Sequence, residues 1–272
     1  MISRSIALIA PLLLLGATVR ADTKGCSQAT LKGTYAILEQ GMVIAQLPGL
    51  PAPPFPVVLS GTATFDGAGN ITAAAFTANF DGIAMPGTAT GTYLVDPDCT
   101  YTDQINDSSG VAGHHSGVII GLKMSPRVQY IYTDPWLVAS GTLKRVWPGR
   151  CSLATLKGTF GILEQGTVVA QISGFPPAQT PFPGVSSGTV TYDGAGNFSV
   201  SGTANFDGMA IPMAGSGTYS VNRDCTYSDS GSVPNGPTFH HAGVISGPGF
   251  PQLSYIYTDS WAVTTGAIEI AQ

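Results

Sequence analysis

The fold of this chain is decided by the stretch CSQATLKGTYAILEQG at residues 26–41, which returns as CSLATLKGTFGILEQG at residues 151–166. Further matches follow in the same order, and FDGAGN at residues 65–70 returns as YDGAGN at residues 192–197. The shift of about 125 residues is longer than the roughly 20 to 50 residues of a solenoid repeat. The sequence therefore indicates two copies of one domain.

Each copy contains a series of short strands. In the first copy, the β-rich stretches cover residues 34–47, 61–65, 71–80, 88–95, 115–122, 128–133 and 137–143. Turn sequences such as Asp66-Gly67 separate them. Gly and Asn are typical of such turns, because they tolerate a positive φ. Charged residues make up only 10% of the chain, which argues against long helices with solvated charged faces. We predict an all-β fold of two tandem small antiparallel β-barrels, with β-sandwiches as the alternative. A closed barrel is favoured because it has no exposed edge strands.

The N-terminus has the features of a secretory signal peptide, which we assign to residues 1–21. Arg4 supplies a positive charge before an apolar run at residues 6–15, as such signals require. This run is too short to cross a bilayer. We predict a secreted chain, extracellular or periplasmic, with no membrane span after signal removal. Its first domain covers residues 22–147 and its second domain residues 148–272.

The charge of the chain excludes one class of partner. Without the signal peptide, nine basic residues face 16 acidic ones. Nucleic acid is therefore not an expected partner, because phosphate binding needs a basic surface. The motifs HExxH and GxxxxGK[ST] do not occur, so no cofactor is predicted. The oligomeric state stays open.

The four cysteines are Cys26, Cys99, Cys151 and Cys225. Four cysteines allow three pairings, and in an oxidising compartment they are expected to pair. The repeat favours Cys26–Cys99 and Cys151–Cys225. Each bridge would close a loop of about 70 residues, worth roughly 4 kcal/mol in the chain-entropy model. No metal site is predicted, because neither CxxC nor HxxxH spacing occurs.

Three glycosylation sequons begin at Asn70, Asn106 and Asn197. They would be used only in a eukaryotic secretory pathway. Each is expected on an exposed turn or loop.

The order of motifs in each copy resembles a largely uncharacterised family of small secreted bacterial domains. The motifs LKGTY, FDGAGN, GTYxVxxDC, a histidine-containing strand and YTDPxxxxSGTxKR lie at residues 31–35, 65–70, 91–99, 114–115 and 132–145 of the first copy. The chain is also similar to allene-oxide-cyclase-like, calycin-like barrels. That resemblance implies eight antiparallel strands around an apolar cavity. It also implies an early-strand glutamate that assists cyclisation of a reactive epoxide, a place that Glu39 and Glu164 occupy.

Glu39 and Glu164 are the candidate catalytic acids. Side chains alternate along a strand, so Tyr35 and Glu39 point the same way, as do Phe160 and Glu164. An acid on an apolar face should have a raised pKa, because desolvation disfavours the charged form. Such a group can act as a general acid or base near neutral pH. The alternative is a solvated glutamate, or one paired with a lysine such as Lys32.

The four histidines form two adjacent pairs, His114-His115 and His240-His241. Adjacent strand residues face opposite sides, so each pair sends one imidazole inward, which does not suit two ligands on one metal. We expect His115 and His241 to form an acid–base pair with the glutamates. The alternative is a hydrogen-bonded histidine at the start of a strand.

The aromatic residues supply the predicted ligand contacts. These are Tyr35, Tyr130, Tyr132, Phe160, Tyr255 and Tyr257. Their hydroxyls or rings would face a ligand inside the barrel, and ordinary packing is the alternative. Phe55 and Phe182, in Pro-rich loops, would cover a cavity or contact its rim. Asp134 and Asp259 are expected to cap turns.

Two functions follow from these residues. The first is a binding protein for a small apolar molecule, whose catalytic version is a cofactor-independent cyclase or isomerase using Glu39 or Glu164. The second is a non-catalytic secreted binding or surface-interaction module with filled barrels. The two copies differ in their loops, so one copy alone can carry the function.

Overall fold

The computed structural model describes residues 25–122, 125–146, 149–172, 180–234, 236–247 and 250–270. The predicted signal peptide lies outside these residues. Within the described part of the chain, no helix has the length and apolar character needed to cross a membrane.

The first barrel contains eight antiparallel strands. They are β1 (Gly33–Val43), β2 (Phe55–Phe65), β3 (Asn70–Phe80), β4 (Ile83–Val95), β5 (Thr100–Asp107), β6 (Ala112–Ile120), β7 (Arg127–Tyr132) and β8 (Leu137–Arg145). Each strand pairs with the next, and β8 returns to pair with β1, so the sheet is closed. Closure leaves no strand edge unpaired.

The second barrel repeats this order. Its strands are β9 (Gly158–Val168), β10 (Phe182–Tyr192), β11 (Asn197–Phe206), β12 (Met209–Val221), β13 (Thr226–Ser232), β14 (Thr238–Ser246), β15 (Gln252–Tyr257) and β16 (Ala262–Ile270). Pairing of β16 with β9 closes the sheet. The prediction of two tandem all-β barrels is confirmed.

Two of the differences from the predicted strands concern the interior of the barrel. β5 was missed, because Asp103, Asn106 and Asp107, which are of types depleted in strands, interrupt its Thr, Tyr and Ile residues. β2 begins earlier than predicted, at Phe55, which is buried. Phe182 is likewise buried at the start of β10. Both rings therefore pack in the core and do not form exposed loop tips.

One end of each barrel, which we call the closed end, is plugged by a 3₁₀ helix. These helices are Gln28–Leu31 and Leu153–Leu156, and the last leucine of each is fully buried. The predicted disulfides Cys26–Cys99 and Cys151–Cys225 are both present there. They tie the segment before each barrel to the turn between its fourth and fifth strands. Two disulfides fit an oxidising, extracellular or periplasmic compartment.

The two barrels pack side by side. Val58 of the first barrel is buried with Ile256 and Val263 of the second. Asn79, which has no exposed surface, donates its amide to the backbone carbonyls of Tyr257 at 3.0 Å and Ala262 at 3.0 Å. The first barrel therefore holds the turn between β15 and β16.

Candidate functional site

The predicted glutamates point into the barrels. Glu39 is 8% exposed and Glu164 is 5% exposed. The Tyr130 hydroxyl donates a hydrogen bond to Glu39 Oε1 at 2.5 Å, and the Tyr255 hydroxyl donates one to Glu164 Oε1 at 2.6 Å. Among the described residues, neither carboxylate forms an ion pair with a lysine. The first-strand acids therefore meet the late-strand tyrosines in both copies.

A glycine between them makes this contact possible. Tyr130 lies opposite Gly141, and Gly141 lies opposite Glu39, so the three residues form one row across β7, β8 and β1. A Cβ atom on Gly141 would lie 2.4 Å from Tyr130 Cζ. The tyrosine ring thus crosses β8 only because that position has no side chain.

The inward histidines are held by a second acid. His115 Nδ1 lies 2.5 Å from Asp103 Oδ1, and His241 Nδ1 lies 2.9 Å from Asp229 Oδ2. In each barrel the histidine Nε2 is buried without a hydrogen-bond partner, 3.9 Å from Oε1 of the glutamate. Because Nδ1 is fixed by the aspartate, Nε2 is the nitrogen available to a ligand or water.

The two aspartates were missed by sequence reasoning. They lie on β5 and β13, directly opposite the histidines of the next strand. The Tyr101 hydroxyl donates to Asp103, and the Tyr227 hydroxyl donates to Asp229. A signal was present, since CTYxD occurs in both copies and places Tyr and Asp on one face of a strand.

Burial sets the protonation behaviour of this cluster. It raises the pKa of Glu39, and the charge of His115 and the Tyr130 hydrogen bond offset this only partly. Burial alone would lower the pKa of His115, but the hydrogen bond and charge of Asp103 outweigh it, so that pKa is raised. The pKa of His241 is raised for the same reason, through Asp229.

The outward histidines have a different role. His114 Nδ1 lies 2.8 Å from Asp134 Oδ1, and His240 Nδ1 lies 2.8 Å from Asp259 Oδ1. Asp134 also accepts the His114 backbone N–H at 2.6 Å. These aspartates therefore link the turn after the seventh strand to the sixth strand, beyond the turn capping that was predicted.

The two barrels differ in their cavities. The cavity of the first barrel has a volume of about 110 Å³. The second barrel has an outer cavity of about 620 Å³ and an inner cavity of about 40 Å³. Glu164 and Tyr257 border both cavities of the second barrel, so they form the floor of the outer cavity.

At three inward positions the first barrel has the larger side chain. The first barrel has Val57, Leu59 and Phe76 where the repeat places Gly184, Ser186 and Gly202 in the second. The difference between Leu and Ser at one of these positions also changes the hydrogen bonding of the acid. Ser186 donates a hydrogen bond to Glu164 Oε2, whereas Leu59 lies opposite Glu39.

The remaining predicted residues separate into two groups. Tyr132 and Tyr257 border the cavities, and each packs against a tryptophan at the cavity wall, Trp136 or Trp261. Phe160 and Tyr35 are buried in the cores of the barrels and do not line these cavities.

The sequon asparagines are all exposed. Asn106 lies within β5 and not on a loop, while Asn70 and Asn197 begin β3 and β11. Their glycosylation stays a prediction. Among the described residues, no group of three or more His, Cys, Asp or Glu side chains is arranged to hold a metal ion.

No family model and no curated protein matches this chain. Among solved structures, it is similar to a mutant of the vaccine antigen Transferrin Binding Protein B (TbpB) from Haemophilus parasuis Hp5. That match has a TM-score of 0.30 and 7% identity, and it covers 92% of this chain and 77% of the other. Intact Ap-TbpB, with N and C lobes, gives a TM-score of 0.28 at 5% identity and covers 90% of this chain and 76% of the other.

A third similar structure is a DUF3598 family protein of unknown function from Nostoc punctiforme PCC 73102. Its TM-score is 0.23 at 12% identity, and the match covers 90% of this chain and 99% of the other. Similarities at these TM-scores carry no functional argument.

Proposed function

We propose that this protein binds a small, largely apolar molecule in the outer cavity of its second barrel. The observation that carries the proposal is the volume of that cavity, about 620 Å³. Small-molecule sites commonly occupy roughly 300 to 1,000 Å³ and are lined mainly by apolar side chains. The apolar wall includes Phe206, Met209, Met213, Phe239, Tyr257 and Trp261.

A few polar groups at the floor would orient the ligand. Glu164 and Ser186 supply them, and both are buried. A small number of placed polar groups in an apolar cavity is the usual source of specificity. The first barrel, whose cavity is about 110 Å³, would serve mainly as the support against which the second barrel packs.

The test is titration with N-phenyl-1-naphthylamine, an uncharged apolar dye that fluoresces in apolar cavities. The double variant Gly184→Val, Ser186→Leu places first-barrel side chains in the second barrel. We expect it to weaken dye binding by about tenfold or more, equivalent to about 1.4 kcal/mol. The control Ser187→Leu adds the same side chain on the exposed face and should leave binding unchanged. Equal dye affinity in all three proteins would contradict the proposal.

A second candidate function is a cofactor-independent cyclase or isomerase. It is favoured by the raised pKa of Glu39, which burial causes, beside the Tyr130 hydroxyl and the unpartnered His115 Nε2. These groups suit proton transfer within a dry site. The assay is conversion of small epoxides to isomers of equal mass. Turnover that is unchanged in Glu39→Gln and Glu164→Gln would exclude these acids.

The interaction-module hypothesis predicts filled barrels. The small volume of the cavity in the first barrel suits that hypothesis better than the large outer cavity of the second barrel does. Absence of dye binding would leave this hypothesis as the better one.

A further inference from the structure

We infer that the ligand of the second barrel is an organic cation, an amine with an aromatic or aliphatic body whose ammonium group pairs with Glu164. This inference rests on the proposed function and specifies the chemical class of the ligand.

The first argument is the charge that faces the outer cavity. Among the described residues that line it, Glu164 is the only charged one, and none is Lys or Arg. A carboxylate at the end of an otherwise uncharged cavity disfavours anionic ligands. Burial of a charge is costly, and a ligand of opposite charge would offset part of that cost.

The second argument is the hydrogen bonding of Glu164. Its oxygens accept hydrogen bonds from three hydroxyls, those of Tyr255 at 2.6 Å, Tyr257 at 3.2 Å and Ser186. An ionised carboxylate only accepts, and it has about four lone-pair sites. This set of donors fits the ionised form and leaves acceptor capacity for one ligand N–H.

The third argument is that the nearest protein cation is already paired. His241 donates from its backbone N–H to Asp229 Oδ1 at 3.0 Å, and its Nδ1 lies 2.9 Å from Asp229 Oδ2. Its Nε2 is 3.9 Å from Glu164 Oε1, beyond hydrogen-bond distance. The carboxylates of Glu164 and Asp229 therefore share the imidazole of His241. When these three groups are ionised, the cluster has a net charge of one negative unit.

The fourth argument is the aromatic wall beside the acid. Tyr257 and Trp261 pack edge to face, with ring centroids 5.4 Å apart, and both line the outer cavity with Phe206 and Phe239. Aromatic faces attract ammonium groups, with Trp the strongest. An acid surrounded by aromatic rings is suited to a cation that keeps an apolar body.

The experiment uses three probes that share one body and differ in charge. They are 3-phenylpropylamine, 3-phenylpropanol and 3-phenylpropanoate, titrated into the full secreted chain by calorimetry at neutral pH. We expect the amine to bind about tenfold or more tightly than the alcohol, and the carboxylate to bind most weakly. In Glu164→Gln, the affinity of the amine should fall to about that of the alcohol, so the preference for the amine should disappear. The control Glu269→Gln removes an exposed charge of the same barrel and should preserve the preference for the amine.

The outcomes separate the two proposals. An alcohol that binds wild-type protein as tightly as the amine overturns the cation inference and leaves the binding function standing. Absence of binding by all three probes and by the apolar dye overturns the binding function itself. The wild-type probe series decides the inference even if Glu164→Gln fails to fold, which circular dichroism would reveal.

Discussion

At the scale of single residues, two glycines decide where the buried acid and its tyrosine meet. Tyr255, Gly266 and Glu164 form a row across three neighbouring strands, as Tyr130, Gly141 and Glu39 do in the first barrel. A Cβ atom on Gly266 would lie 2.2 Å from Tyr255 Cζ. The glycine therefore acts by leaving space for a ring, and its role is independent of turn geometry.

This arrangement predicts the effect of Gly266→Ala. The added methyl must displace the buried Tyr255 ring from Glu164, so we expect a loss of about 1–3 kcal/mol in the free energy of unfolding, the usual cost of overpacking. Denaturant unfolding of the full chain measures it. In the control Gly161→Ala, the nearest atom to the new Cβ is 3.8 Å away, and the change should stay within about 0.5 kcal/mol. Similar losses in both variants would contradict the role assigned to Gly266.

At the scale of elements, the pairing of β13 with β14 builds the acid–histidine pair. Asp229 lies directly opposite His241 in the register, as Asp103 lies opposite His115 between β5 and β6. Strand β5 is polar in sequence because its outer face is exposed, while Tyr101 and the side chain of Asp103 are buried. The element that strand propensity failed to predict thus carries the aspartate that sequence reasoning missed.

The pair predicts a pH dependence that Asp229→Asn should change. The folded pKa of His241 is raised above its ordinary value of 6.5. Its contribution to stability is therefore complete below pH 6.5 and is lost as the pH rises through the folded pKa. Burial lowers the pKa of His241, and the charge of Asp229 opposes this effect. In Asp229→Asn that charge is lost, so the pKa of His241 should fall. Titration of the histidine ring protons by NMR measures this shift.

The control for this prediction is Asp224→Asn, which removes an exposed turn acid. It should leave the titration midpoint of His241 in place. A titration midpoint that does not move in Asp229→Asn would show that Asp229 does not stabilise the protonated imidazole of His241.

At the scale of the whole molecule, the first barrel holds a turn of the second barrel that lines the outer cavity. Asn79 is fully buried and bonds the backbone of Tyr257 and Ala262, on the turn that carries Trp261. Its Oδ1 accepts the Gly82 N–H at 2.8 Å, which fixes the amide in place. The duplication therefore contributes more than a second copy of the same barrel.

This contact predicts that Asn79→Ala weakens both stability and binding. Loss of the amide leaves buried carbonyls unpaired, at a cost of about 1–3 kcal/mol. Because Tyr257 and Trp261 line the outer cavity, affinity for the uncharged dye should fall as well. Denaturant unfolding and dye titration measure the two effects. The matched control is Asn205→Ala, the same position of the second copy, where the asparagine is only partly buried. An equally large loss of stability and dye affinity in Asn205→Ala would contradict the role assigned to the contact of Asn79 with the second barrel.

The sequence by itself determined the duplication and the all-β class, and it favoured the disulfide pairing, the closed barrel and the inward direction of Glu39, His115 and Tyr130. These depend on repetition and on the alternation of side chains along a strand, which are local properties. Only the tertiary structure decided that Asp103 faces His115. It also decided that the second barrel is the more open one. Strand pairing places residues opposite each other that are distant in sequence. The volume of a cavity depends on side chains that several strands contribute.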